Sequence, residues 1–313
     1  MCLETKSPFD FNNLADLLTY FKDEKTCLNY IEQWRWKGDV RCEDCGHNKI
    51  YRFAKRNRFK CANCKGYFTV TSRTIFDNTK LPLIKWMMAL YFVSNHKRGI
   101  SSCQLASDLG ITQKSAWHIL HKIRTVLAQA NVKLEGVVSS DEAFVGGKNS
   151  NRHKSKRMAY STGRNYKDKA PVLGMMEKNG KVKTIVMPSV AGKNIRQGVL
   201  QSVIPGSTLI TDEYHAYKRM KRYYIHEVVQ HWKGQYINQN GFSSNNIEGF
   251  WSHLKRMIIG VYYSVSHRHL QKYCDELTFR FNMRKEKESV RFVTLFDRLR
   301  TKITYKQLAH ASI

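Results

Sequence analysis

Four of the eight cysteines in this 313-residue chain stand in two pairs, Cys42-x2-Cys45 and Cys61-x2-Cys64, with fifteen residues between the pairs. Each pair can present two thiolates from one tight knuckle, and two knuckles complete a tetrahedral S4 site suited to Zn2+. A redox dithiol or an iron–sulfur site would use the same residues, but neither accounts for the ribbon-like run between the pairs. Gly46 follows the first pair, where a turn with positive φ is expected. All four ligands would come from protein with no position left for water, so the zinc reads as structural. Cys2, Cys27, Cys103 and Cys274 are isolated and read as ordinary thiols.

A second chemistry resides in carboxylates. Asp141 lies in VVSSDEAFVGGK and Asp212 in TLITDEYHAY, each expected at the end of an apolar strand. Two such acids on neighbouring strands can share Mg2+ ions of the kind phosphoryl transfer needs. Either Asp alone could equally be a turn residue or a helix cap. Glu248 in SSNNIEGFWSHLKRM is the third candidate, and Lys255 seven residues on shares its helix face. Asn245-x-x-Glu248 also reads as a capping box, and Asn245 could itself offer an oxygen to an ion. Glu142 and Glu213 directly follow the two aspartates, so on a strand they point the other way.

The elements that must position these residues follow from periodicity. Between Pro8 and Lys37 the apolar residues Phe11, Leu14, Leu17, Leu18, Phe21, Cys27, Tyr30, Ile31 and Trp34 predict two short helices. RFKCANCKGYFTVTS predicts short strands around the cysteines, and residues 79–130 return to helical spacing. From Val132 on, LEGVVSSDEAFVGG, PVLGMMEKNG, KVKTIVMPSV and STLITDEY read as strands, while NIRQGVLQSVI and the stretch from Ser244 to Ile259 read as helices. That alternation is α/β, with the first strands antiparallel neighbours joined at tight turns such as Lys178-Asn179-Gly180. The expected domains are a helical segment 1–37, a zinc ribbon 38–76, a helical region 77–131, an α/β domain 132–285 and a helical tail 286–313.

Within the helical region, SSCQLASDLGITQKSAWHILHKIRT has the layout of a helix-turn-helix. Gly110 supplies the turn and Thr112 a cap. Ala116, Trp117, Leu120 and Ile123 would face inward, leaving Gln113, Lys114, Ser115 and His118 for a DNA groove. An αα-hairpin in a core would share the pattern.

Lys and Arg number 53 against 25 Asp and Glu, a formal charge of +28. Such an excess self-repels unless a polyanion neutralises it, so nucleic acid is the expected partner. Arg52, Lys55, Arg56, Arg58 and Lys60 flank the ribbon, and Lys148, Arg152, Lys154, Lys156, Arg157, Arg164, Lys167 and Lys169 form a basic loop after the first acid. That loop is expected to be flexible and to order on DNA; solvated basic surface is the alternative in both places. Phe250 and Trp251 are expected to pack their helix on the sheet rather than to stack on bases. No stretch is apolar enough to span a membrane and no signal-peptide layout is present, so cytosolic placement is expected.

The runs Asn246-Ile247-Glu248-Gly249-Phe250-Trp251-Ser252-His253-Leu254-Lys255-Arg256, Asp141-Glu142-Ala143-Phe144-Val145-Gly146-Gly147-Lys148, Thr211-Asp212-Glu213-Tyr214 and Val265-Ser266-His267-Arg268-His269-Leu270 resemble bacterial insertion-sequence transposases with an N-terminal zinc ribbon. Thr74-Ile75-Phe76 and Lys80-Leu81-Pro82-Leu83 share the likeness. The resemblance implies an RNase H-like DDE domain with a mixed sheet and flanking helices. It implies Asp141, Asp212 and Glu248 as ligands for Mg2+ or Mn2+, with Lys255 as the basic follower; Arg256 is a candidate DNA contact. Asn245 stays open as the third ligand, because some relatives use Asn. The implied reaction is cleavage at transposon ends followed by attack of the freed 3′-OH on target DNA, by a nucleoid-associated homodimer or larger assembly. Arg73 stands where the usual motif has Gly, which concerns a turn after the ribbon. A DNA-binding regulator derived from such an enzyme and a nuclease without strand transfer are the competing readings.

Overall fold

The computed structural model describes residues 11–53, 57–128, 132–147, 149–159, 169–178, 180–229 and 245–309, with the backbone alone at Asn245. Cys2, Lys55, Arg56, Lys148, Arg164, Lys167 and the Asn245 side chain lie outside the described residues. The chain forms two compact units. One comprises residues 1–96, 102–126 and 286–311, the other residues 97–101, 127–285 and 312–313.

In the first unit, α1 (Leu14–Tyr20) and α2 (Glu24–Trp36) are the two expected short helices. Asn13 and Asp23 cap them, each side chain accepting a backbone N–H from the first turn, at 2.9 and 2.7 Å. An antiparallel ribbon follows: β1 (Ile50–Phe53), β2 (Arg58–Cys61) and β3 (Tyr67–Thr69). Then come α3 (Leu83–Asn95), α4 (Ser102–Leu109) and α5 (Gln113–Val126). The helix Glu288–Phe296 packs on α3, so the far end of the chain completes this core. Phe11 meets Phe292 edge-on at 5.4 Å, and Tyr30 meets Phe296 at 4.8 Å. No periodicity argument could have announced that return of the chain.

Gly110, at φ 56°, makes the turn between α4 and α5, and the Thr112 hydroxyl accepts the Ser115 N–H at 3.3 Å. The inward stripe of α5 is Ala116, Ile119, Leu120 and Ile123. Trp117, expected inside, is half-buried and lies 4.1 Å from the His121 ring. At 100° per residue it falls one step off a stripe already filled by Ile119.

The second unit is built on β4 (Val137–Val145), β5 (Ala170–Glu177), β6 (Val182–Val186), α6 (Gly192–Ser202), β7 (Thr208–Thr211), β8 (Ile225–Val228), α7 (Asn245–Met257) and α8 (Leu270–Asn282). The sheet runs in the order β6-β5-β4-β7-β8. β4, β5 and β6 pair antiparallel, whereas β7 joins β4, and β8 joins β7, in parallel. This mixed order is the RNase H-like arrangement. Alternation along the strands feeds two cores. Val138, Leu173 and Met175 pack with Ile195 and Val199 of α6. Ala143, Val172 and Met176 pack with Ile247, Phe250, Trp251 and Leu254 of α7 and with Leu277 of α8. A π-helical turn, Ile258–Tyr262, continues α7. On α8, Glu276 and Arg280 form a buried ion pair one turn apart. The Tyr262 hydroxyl donates to Glu276 at 2.9 Å, and the Arg280 guanidinium reaches Met257 Sδ at 3.1 Å. Among the described residues, no helix is long and apolar enough to cross a membrane.

Candidate active site and metal centre

The ribbon folds the two CxxC pairs into one cluster. All four Sγ atoms lie within 4.8 Å of one another, with Cys42–Cys64 and Cys45–Cys61 both at 3.5 Å. A tetrahedron with ~2.3 Å metal–sulfur bonds has sulfur–sulfur edges of ~3.8 Å, so the quartet already has the size of a zinc site. The His47 backbone N–H, followed by hydrogen bonds from the other thiols, draws the Cys45 thiol down to about 6. Gly46 and Lys65, at φ 70° and 58°, turn the chain just after each pair. Arg73 also takes a left-handed φ of 60°, at the position where glycine was expected. Its guanidinium donates to the Glu43 carbonyl at 2.7 Å and pairs with Asp44, tying that turn to the first knuckle.

The carboxylates gather at one end of the central strands. Asp141 is not at a strand end as expected: β4 continues to Val145 because β5 keeps pairing with it. What ends there is the parallel neighbour. The last β4–β7 pair is Ser139–Ile210, and the same register carried two steps further sets Asp141 level with Asp212. The Asp212 Oδ1 accepts the Tyr214 N–H at 3.1 Å, which fixes the carboxylate just past β7. Burial raises the Asp141 pKa above its ordinary range. Two hydrogen bonds oppose that rise, and the charges of Asp212 and Glu248 reinforce it. The charges of Asp212 and Glu248 are thus felt at Asp141, although the three carboxylates do not close to within 4.8 Å as a set. Among the described residues only the four cysteines do so.

Glu248 and Lys255 are both exposed on α7. Between them, Trp251 donates its indole N–H to Asp141 Oδ2 at 2.9 Å, and the Glu142 backbone N–H takes Asp141 Oδ1 at 2.8 Å. At 100° per residue, Glu248 and Lys255 lie roughly 60° and 40° from Trp251 in the same sense. The rotation of α7 that seats the indole on Asp141 thus turns Glu248 and Lys255 to one side together. Gly174 faces Asp141 across β5, and a Cβ there would lie 2.5 Å from the Trp251 ring. The indole fits only because that side chain is missing. Trp251 and Gly174 were missed as site residues; the available signal was a Trp three residues after Glu248. As a packing residue Trp251 behaves as expected, buried with Phe250 in the core under α7.

Glu142 points to the opposite face, as strand alternation requires. There it accepts a hydrogen bond from the Tyr217 hydroxyl, which also lies 3.1 Å from Ser140 Oγ. Burial and the Glu142 charge push the Tyr217 pKa well above its ordinary value. Glu213 is exposed.

The candidate nucleic-acid residues divide by exposure. Gln113 and Lys114 are exposed on the first turn of α5, and Gln113 donates to Ser102 Oγ at 2.7 Å. Ser115 and His118 are half-buried; burial, then Lys122, lowers the His118 pKa. Lys154 and Arg256 are exposed and Arg152 is half-buried. The segment expected to be flexible is already folded over residues 149–159. Asn149 brackets it by bonding the Met158 N–H and C=O at 3.0 and 2.8 Å, and Arg157 holds the Ser150 carbonyl at 2.7 Å.

A mixed five-stranded sheet carrying Asp141 on β4 with Asp212 level with it past β7, together with a four-cysteine ribbon, is an arrangement suited to metal-assisted phosphoryl transfer. The chain belongs to the transposases: residues 133–282 match the ISXO2-like transposase domain and residues 22–66 the transposase zinc-ribbon domain. It is 26% identical over 230 residues to an uncharacterized protein in transposable element ISH50 of Halobacterium salinarum, covering 70% of this chain and 78% of that protein. Among solved structures it is similar to a pre-cleavage Mos1 transpososome, with 11% identity, a TM-score of 0.27, and 70% of this chain and 80% of that one covered. It is also similar to the Mos1 strand transfer complex, with 14% identity, a TM-score of 0.27, and coverage of 68% and 75%.

Proposed function

We propose that this transposase binds the terminal inverted repeats of a mobile element and catalyses metal-dependent DNA cleavage followed by strand transfer at Asp141, Asp212 and Glu248. The observation that carries the reading is the half-buried Asp141 carboxyl, level with Asp212 across the parallel strands and within the fields of two further acids. Like charges gathered in this way call for a cation, and an all-oxygen donor set suits the hard ions Mg2+ and Mn2+. When bound, such an ion neutralises charge on the attacking and leaving oxygens of a phosphodiester. Trp251 and the Glu142 N–H hold Asp141 in place. Lys255, on the Glu248 face, grips a DNA phosphate. Asn245 is the alternative third ligand. Water is the first nucleophile and the freed 3′-OH the second, so no covalent enzyme intermediate is needed. Double-stranded DNA, as element ends and as target, is bound by Gln113, Lys114, Ser115 and His118 on α5 and by Lys148, Arg152, Lys154 and Arg256. Joining two ends to one target calls for a dimer or larger assembly, in the bacterial cytoplasm at the nucleoid. The domains act as read from the sequence: ribbon 38–76, helix-turn-helix region 77–131 and catalytic domain 132–285.

The test pairs terminal-repeat DNA with a target plasmid in Mg2+ or Mn2+. Asp212→Asn is expected to retain repeat binding and lose both nicking and joining. Cleavage that persists in this variant refutes the site, and cuts without joints from the parent protein refute strand transfer.

A further inference from the structure

The two faces of the zinc ribbon differ in chemistry. Phe59, Cys61 and Phe68 are buried on one face, where Trp36 meets the two phenyl rings edge-on at 5.6 and 6.0 Å. The register sends Tyr51, Phe53, Arg58, Lys60 and Tyr67 to the other face: Tyr51 lies opposite Lys60, Phe53 opposite Arg58, and Lys60 opposite Tyr67. The three rings stand open to solvent, 50% exposed at Tyr51, 43% at Phe53 and 55% at Tyr67. Phe53 and Tyr67 have centroids 6.4 Å apart, and the Arg58 and Lys60 cations each lie 5.3 Å from the Tyr67 ring centre. None of these five residues is acidic.

We infer that this face binds single-stranded DNA, with unpaired bases stacked on Tyr51, Phe53 and Tyr67 and the backbone phosphates held by Arg58 and Lys60. Two cations among three rings, in no ion pair with an acid among the described residues, match a polyanion that also carries flat apolar groups. A duplex offers phosphates and base edges but keeps its π faces stacked inside, so it would leave the rings unused. Unpaired bases satisfy both halves of the surface. Stacking of this kind tolerates any sequence, because every base has a π face. The inference rests on the DNA reading above and adds a second, sequence-tolerant site on the ribbon.

The experiment uses the full zinc-loaded chain and a fluorescent, mixed-sequence oligonucleotide of roughly 15 nucleotides, the upper end of common site sizes. Binding is read by anisotropy, single-stranded and as the matching duplex. Tyr51→Ala, Phe53→Ala and Tyr67→Ala are expected to weaken single-strand binding by about tenfold for each ring that stacks, with duplex binding and zinc content unchanged. The set Tyr51→Leu, Phe53→Leu and Tyr67→Leu keeps apolar bulk, guards against a folding failure, and is expected to show the same selective loss. Arg58→Gln with Lys60→Gln is expected to flatten the salt dependence of single-strand binding. Unchanged single-strand affinity in both ring sets overturns the proposal. So does a change in self-association, measured by sedimentation, without a change in DNA binding, since the face then serves a protein contact. Cleavage of terminal-repeat duplex in the same variants separates the two readings: intact cleavage with unaltered single-strand binding defeats this inference alone.

Discussion

Gly174→Ala should disable the carboxylate site from the neighbouring strand, on the same face of the sheet as Asp141. The new Cβ would lie 2.5 Å from Cη2 and Cζ2 of Trp251 and 3.1 Å from Ile247 Cδ1. Non-bonded carbons prefer about 3.5–4.0 Å, so the indole must retreat by about 1 Å. Both neighbours are buried and belong to α7, which leaves no solvent to retreat into. Overpacking of this type costs about 1–3 kcal/mol. The same shift takes the indole N–H out of reach of Asp141, now 2.9 Å away, and a hydrogen bond to a charged group is worth about 1.5–3 kcal/mol. The lower chain entropy of Ala in the unfolded state returns about 0.4–1 kcal/mol. The sum is a net loss of about 3 kcal/mol. Urea unfolding of the metal-free protein, followed by circular dichroism, measures it. The informative comparison is the same substitution made on Trp251→Ala, where the ring is gone and the cost should fall below about 1 kcal/mol. An equal cost in both backgrounds would show that Trp251 is not what Gly174 accommodates, and the account of how Asp141 is held would fail.

Other outcomes can be checked by simple measurements. Because burial and neighbouring acids raise the Asp141 pKa, the folded metal-free state binds more protons than the unfolded chain, and stability falls as pH rises through the raised value. Asp141→Asn should therefore be more stable than the parent at pH 7 in Mg2+-free buffer with the ribbon's zinc retained, lose that advantage as the pH drops below the ordinary carboxylate range, and gain nothing from added Mg2+. Thermal melts across pH decide it, and equal melting temperatures at pH 7 would contradict the burial argument. Glu276→Gln breaks the buried pair with Arg280 and should cost about 3–5 kcal/mol in urea unfolding, while Glu276→Leu with Arg280→Met should cost much less. Cys61→Ser should remove the single zinc measured by elemental analysis and abolish the β-ribbon, as strong chelators should in the parent. A chain without zinc, or one holding iron, would refute the S4 assignment.

Much of this protein was readable along the chain because the signals were local. Two CxxC spacings announced the metal knuckles. Caps, turns and apolar periods announced α1, α2, α4 and α5 and the hairpin of β5 and β6. Even Arg73 was marked as sitting in a glycine position, and its φ of 60° is the reason. The acids were legible as residues, but their meeting was not. Asp141 lies mid-strand and comes level with Asp212 only through the register of β4 with β7, which stops beside it. That is a fact of register between strands distant in sequence.

Residue type and spacing by themselves pointed to the four-cysteine knuckles, the α/β class, the basic character and the candidate acids, because each depends on groups a few residues apart or on summed charge. The tertiary structure alone decided that Trp251 holds Asp141, that Gly174 must lack a side chain, that Glu142 turns away to Tyr217, and that three aromatic rings share one open face with Arg58 and Lys60. Each of these relations is a contact or a shared face set by the pairing of strands or the seating of a helix, and such a relation has no period for a sequence to display.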